Sequence, residues 1–186
     1  MQHTWRKCLL IISMCLSTGT GFAADFRDAT WGMTRDQIVA LHPGELPADR
    51  RIGAIGFDGT LAGLDVLIFY RFDEQGLLFE AGYEINTEDV AALTIVEQYN
   101  TLNGLLLRRY PDAGAPQQIW RNRLFADKPE EWGRAVNSRH LTYQWQFTGG
   151  RTRVEHTLQR GRRDISHMLL YAAVGQQSDQ DVLDQL

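Results

Sequence analysis

Residues 141–173 read LTYQWQFTGGRTRVEHTLQRGRRDISHMLLYAA. Segments 141–147, 152–159 and 165–173 alternate large apolar residues with polar ones, and the breaks between them carry Gly149-Gly150 and Gly161. This is the pattern of three antiparallel strands joined by tight turns. A two-residue turn at Gly149-Gly150 pairs Trp145 with Val154 and Tyr143 with His156. A turn at Gly161-Arg162 then pairs His156 with His167 and Val154 with Leu169. One face of the meander therefore carries Trp145, Val154 and Leu169, with Tyr143, His156 and His167 in a row across three strands.

Upstream, 117–124 reads as a strand and 127–136 as a short helix with Pro129 in its first turn. A long helix is expected from Asn86 or Thr87 to Tyr110, just before Pro111. Ala92, Ile95, Tyr99, Leu102 and Leu106 recur at helical spacing, Glu88 and Asp89 sit where the dipole favours anions, and Pro111 stops it. Gly104 in its middle costs about 1 kcal/mol unless another element packs closely there. Segments 52–57, 64–72 and 77–85 read as strands separated by turns at Asp58-Gly59 and at 73–76. Pairing Phe72 with Leu77 sets Tyr70 opposite Phe79, Ile68 opposite Ala81 and Val66 opposite Tyr83. A short helix over 35–41 opens this region: Thr34 and Gln37 have capping-box spacing, Met33 and Ile38 sit at staple positions, and His42-Pro43-Gly44 ends it. The expected class is α+β, an antiparallel sheet packed by one long and two short helices. It forms a single domain over 24–174 built from two α-β-β-β halves, 26–86 and 87–174. Residues 175–186 have too few large side chains to pack and read as a flexible tail.

The first 23 residues have the three parts of a cleavable secretory signal: Arg6 and Lys7, an apolar run over 8–16, and a small, polar end at Gly21-Phe22-Ala23-Ala24. Cleavage after Ala23 leaves 163 of the 186 residues and removes both cysteines, Cys8 and Cys15. The expected location is the periplasm. With Arg6 and Lys7 gone, the 19 basic residues fall to 17 against 23 acidic ones, a net charge of −6. That balance argues against a nucleic-acid partner, and no later apolar run approaches the length of a membrane span.

The octet Trp31-Gly32-Met33-Thr34-Arg35-Asp36-Gln37-Ile38 resembles the opening of small secreted bacterial domains of the β-lactamase-inhibitor-like type. Gly32-Met33-Thr34 with Gln37-Ile38 is also similar to the start of outer-membrane-assembly lipoproteins of the SmpA/OmlA group. The resemblance implies a short helix ahead of an antiparallel sheet and a role in binding other proteins rather than in catalysis.

Three groups of residues carry chemistry. His156 and His167 read either as a metal or pH-sensing site or as histidines satisfied by Tyr143 and by each other; zinc needs three or four ligands, and spacing supplies no third. Arg160, Arg162 and Arg163, with Glu155 and Asp164, read either as a grip on a carboxylate or phosphate or as a solvated hairpin tip. Trp132, on a short polar helix, is the tryptophan expected to be partly exposed and to anchor a partner. No serine elbow, phosphate loop, dinucleotide fingerprint or zinc-protease motif is present, and no cofactor is expected. The sequence thus points to a non-catalytic periplasmic protein that binds an envelope protein or other periplasmic component. The alternative is a small-molecule carrier or hydrolase with a pocket between the long helix and the sheet. An enclosed cavity with convergent polar groups marks the second reading; a filled core with an arginine-rimmed patch marks the first.

Overall fold

The computed structural model describes residues 24–51 and 53–175. The expected signal and residues 176–186 of the expected tail lie outside the described residues. Eight strands form one sheet: β1 (Ala48–Arg51), β2 (Ala54–Leu61), β3 (Leu64–Phe72), β4 (Leu78–Ile85), β5 (Gln117–Trp120), β6 (Leu141–Gly149), β7 (Thr152–Arg160) and β8 (Ile165–Ala173). Their order is β1-β2-β3-β4-β8-β7-β6-β5, and every neighbouring pair is antiparallel. Each half of the chain thus supplies a four-stranded meander, and the last strands of the two meanders pair in the middle. The first half gains an edge strand that was not expected, Ala48–Arg51, while in the second the strand expected over 117–124 forms over Gln117–Trp120 and joins the sheet beside β6, so each half holds four strands rather than three.

Three helices accompany the sheet among the described residues: α1 (Arg35–Ala40), α2 (Ala92–Arg109) and α3 (Trp132–Asn137), the last preceded by a 3₁₀ turn at Pro129–Glu131. α1 carries the full capping box. Thr34 Oγ1 accepts from the Gln37 amide at 3.4 Å, and Gln37 Oε1 accepts from the Thr34 amide at 2.9 Å. α2 starts later than its sequence suggests, because residues 86–91 spend their polar groups on turns. Asn86 Oδ1 accepts from the Glu88 amide at 2.9 Å, Thr87 Oγ1 donates to the Ile165 carbonyl at 2.8 Å, and Asp89 takes φ 57°.

The expected turn at Asp58-Gly59 lies inside β2, and the strand predicted over 52–57 is displaced towards its C-terminus. The chain reverses instead at Ala62-Gly63, where both residues have positive φ and Leu61 pairs with Leu64, the geometry of a two-residue hairpin. The other hairpins are offset by two residues from expectation. Gly150 and Arg151 form the β6–β7 turn, so Trp145 pairs with His156 and Tyr143 with Leu158. The β7–β8 connection is longer than two residues, which pairs His156 with Leu169 and Leu158 with His167. In β3–β4 the ladder pairs Tyr70 with Ala81 and Ile68 with Tyr83, with a bulge between Arg71 and Phe72. Since side chains alternate with period two, an offset of two leaves every residue on its expected face.

All the main apolar clusters lie on one face. The first joins Ile38 of α1 and Leu102 of α2 to Ile55, Ile68, Tyr70 and Ile85. The second joins Ile95, Val96 and Tyr99 of α2 and Ala135 and Val136 of α3 to Leu141, Tyr143 and Leu158. The third sets Leu106 on Trp145, Val154 and Leu169. The close approach of α3 to α2 is possible because residue 133 is glycine: a Cβ there would lie 2.5 Å from the Ala92 carbonyl carbon.

Candidate functional site

With the helices on one side, the other face of the sheet has no helix over it among the described residues. One level across β3, β4, β8 and β7 reads Phe69, Gly82, Leu170, Glu155; the next reads Arg71, Glu80, Ala172, Arg153; the level on the other side reads Leu67, Glu84, Met168, Thr157. Phe69 is 8 % exposed without a helix above it. Its ring lies against bare Gly82 backbone, where a Cβ would come within 2.9 Å of it. The apolar centre of Leu67, Phe69, Met168 and Leu170 is bordered by charge. Arg71 Nη1 donates to Glu80 Oε1 at 2.6 Å, Arg153 Nε lies 3.0 Å from Glu155 Oε1, and Asp58 and Glu84 flank Leu67. Burial pushes the Glu80 carboxyl above the usual range even though Arg71 pulls it down. An apolar centre with a charged border is the composition of a protein-contact surface.

On the helix side, His156 and His167 do meet, diagonally rather than directly across the strands. Their Nε2 atoms are 3.0 Å apart, and both residues are buried. Asn103 Oδ1 of α2 lies 3.3 Å from His156 Nδ1, and the Tyr99 ring stacks on His156 at 4.1 Å. If Nδ1 of His156 donates to Asn103, its Nε2 must accept from His167 Nε2–H, which leaves His167 Nδ1 as an acceptor with no partner. Burial lowers both imidazoles, His156 well below 6.5 with His167 adding to the effect, and His167 to about 4. Tyr143 belongs beside this pair rather than in a direct row with it; its ring is 5.1 Å from that of Tyr99. Among the described residues no group of three or more His, Cys, Asp and Glu side chains is placed to hold a metal ion.

A third buried histidine, His42, was not singled out by the sequence. His42 stacks on Phe57 at 3.8 Å, its Nε2 lies 3.0 Å from the Tyr70 hydroxyl, and its Nδ1 lies 3.5 Å from Glu45. Burial pushes Tyr70 up to about 12 and lowers His42. The chain Glu45–His42–Tyr70 ends in the core, so it fastens the end of α1 to β3. The helix-stop reading of His42-Pro43 hid this role, because the partner is distant in sequence.

The remaining candidates are scattered. Trp132 is half-buried: its indole N–H donates to the Ala126 carbonyl at 3.3 Å and its ring meets Tyr143 edge-on at 6.4 Å. Arg160 Nη1 donates to Asn137 Oδ1 at 2.7 Å at the end of α3, while Arg162 and Arg163 are exposed on the β7–β8 loop. Glu155 does not join them, because it sits on the helix-free face beside Arg153. An open groove of about 560 Å³ lies between the end of α2 and the β6–β7 hairpin, with Tyr110, Phe147 and Val154 as its apolar wall and Arg109 and Arg151 on its rim. Arg151 there grips Asp25 through two bonds of 2.8 and 2.6 Å. A smaller groove of about 170 Å³ lies between α2 and the β2–β3 hairpin. No helix among the described residues is long and apolar enough to cross a membrane. No protein-family model, curated protein or solved structure matches the chain.

Proposed function

We propose that this is an exported periplasmic protein that works by binding, without catalysis, and that its helix-free sheet face receives an envelope protein or other periplasmic component. The observation that carries the reading is the one-sided placement of the helices. It leaves the apolar centre around Leu67, Phe69 and Leu170 bordered by the Arg71–Glu80 and Arg153–Glu155 pairs. The signal-like residues 1–23 and the resemblance of residues 31–38 to secreted protein-binding domains support it. The two grooves are open, and the larger is rimmed by arginine, which favours a binding surface over an enclosed carrier pocket. The test is photo-crosslinking in intact cells, from a reactive residue at Thr157 or Met168 and, as control, at exposed Arg108 of α2, which lines neither groove. A discrete adduct from the sheet positions alone is expected, with the protein in the periplasmic fraction and beginning at Ala24. Equal labelling from Arg108, no adduct at all, or a cytosolic protein still carrying Met1 overturns the reading.

A further inference from the structure

The long helix is joined to the sheet by two polar contacts that end on the same residue. Tyr99 donates its hydroxyl to the His156 carbonyl at 3.3 Å, and Asn103 meets His156 Nδ1 at 3.3 Å. His156 in turn leans on His167 at 3.0 Å. Around them the buried stripe of α2 meets β6 to β8 through apolar and aromatic contact, Ile95, Val96, Leu102 and Leu106 against Tyr143, Trp145, Leu158 and Leu169. At the C-cap Tyr110 hydrogen-bonds Tyr171 of β8, phenol to phenol, with no group that titrates in acid. We propose that the His156–His167 pair is an acid-released latch holding α2 on the sheet.

The geometry allows the pair one shared proton between the two Nε2 atoms and one donor to Asn103. A further proton must enter at His167 Nδ1, which has no hydrogen-bond partner, or at His156 Nε2, where it sets two N–H groups facing each other 3.0 Å apart and breaks the bond between the rings. Nothing nearby compensates it. From α2 the titratable group facing the pair is Tyr99, and from β6 it is Tyr143; both phenols are neutral throughout the acid range because burial raises them. Among the described residues no carboxylate or guanidinium acts on either imidazole; burial, and for His156 the neighbouring histidine, lower them. Buried uncompensated charge is relieved by opening to water, and the element that can move is the helix, since β7 and β8 are held by a full ladder. Lifting α2 uncovers the apolar row of Tyr143, Trp145 and Leu169. In an exported protein, a setting that rests on the functional reading above, such a latch makes this second surface available only in acid.

The sign follows from the depressed values. The unfolded or opened histidine takes up its proton near 6.5, and the closed state resists until about 4 for His167. Closure is therefore fully favoured above 6.5, and the advantage is lost as pH falls from 6.5 to 4. From His167 alone the open state gains about 80-fold over that interval, out of about 300-fold for the whole titration, and His156 adds to it.

Hydrogen exchange of α2 amides, corrected for the intrinsic effect of pH and compared with β2–β3 amides of the same sample, reads this directly. In the unmodified protein, α2 exchange is expected to accelerate by about two orders of magnitude between pH 6.5 and 4, and β2–β3 exchange, which feels only the smaller lowering of His42, by much less. His167→Gln keeps a donor toward His156 and cannot titrate, so it should reduce the α2 response to the part that His156 supplies by its own burial. His42→Gln, at the other buried histidine, should leave it intact. The proposal is overturned if α2 and β2–β3 open together in one transition, if α2 stays closed at pH 4, or if His167→Gln folds and responds as the parent does. Should that variant fail to fold, imidazole titration of the unmodified protein decides. Both rings titrating well below 6.5, with protonation coinciding with α2 opening, supports the latch; titration of either ring near 6.5 with α2 still protected overturns it. Neither result depends on whether the sheet face binds a partner.

Discussion

Two glycines lie within helices, and replacing each by alanine should move stability in opposite directions. In α3, a Cβ on Gly133 would run into the Leu93 amide nitrogen and lie 2.5 and 2.8 Å from the carbonyl carbon and oxygen of Ala92. Ordinary contacts of these atoms are about 3.5 Å, so the first turns of α2 and α3 must separate by about 1 Å. The obstructing atoms are backbone and cannot rotate aside. Overpacking of this kind costs about 1–3 kcal/mol, here near the upper end, and alanine's better helix propensity returns at most about 1 kcal/mol. Gly133→Ala should therefore lose about 2 kcal/mol. Gly104 of α2 has nothing within 4 Å of its would-be Cβ, so Gly104→Ala should gain about 0.5–1 kcal/mol from the same propensity. At about 2–4 °C per kcal/mol for a chain of this size, the melting temperatures of the two variants should differ by about 5–12 °C. Urea titrations followed by far-UV circular dichroism and tryptophan fluorescence give both values. A Gly133→Ala protein as stable as the parent, or two shifts of the same sign, would refute the packing account of α2 and α3.

Glu80 has its carboxyl raised, so the folded state holds a proton that the unfolded chain has already released. That contribution is fully present below about 4.5 and is lost as pH rises through the folded value. Glu80→Gln should therefore erase part of the parent's dependence of urea midpoint on pH in the weakly acidic range and be at least as stable as the parent at pH 7. A parent that gains stability from Glu80 as pH rises contradicts this. Trp145 donates its indole N–H to the Gly114 carbonyl at 2.9 Å; Trp145→Phe should cost about 1–3 kcal/mol and speed proteolysis across residues 111–116, measured by limited digestion. Thr34→Ala removes the oxygen that caps α1 and should lower stability by about 1 kcal/mol in the same urea assay.

Local chemistry was legible where the partners are close in sequence. Thr34 and Gln37 form the capping box their spacing implies, and the strands of β3, β6, β7 and β8 fall where alternation puts them. Register was less legible, because turn length depends on where glycine is needed for its backbone and where it serves for space. Gly150 takes positive φ and turns the chain, whereas Gly149 stays in the strand, where a Cβ would meet the Phe147 ring. Likewise Asp58-Gly59 has turn composition, yet Gly59 serves in β2 by leaving room for Ile68. The histidine pair was nonetheless anticipated, since an offset of two keeps the face and Nε2 atoms reach diagonally. Asn103, Tyr99 and the His42–Tyr70 contact were not, for each depends on a helix or a distant strand docking at one particular height.

Six of the seven strand pairings join neighbours in sequence; the pairing of β4 with β8 alone joins the middle of the chain to a strand from its far end. Nearest-neighbour hairpins zip early, while the long closure pays its loop entropy before any reward. Until that seam shuts, two strands destined for the interior are raw margins with unpaired amides and aromatic flanks, Tyr83 on one and Tyr171 on the other, a template for joining the wrong chain. Residues of α2 belong to the clusters on both sides of the seam, so the helix is also the clasp that ends this exposed interval, and slowing its docking should appear first as aggregation of newly made protein.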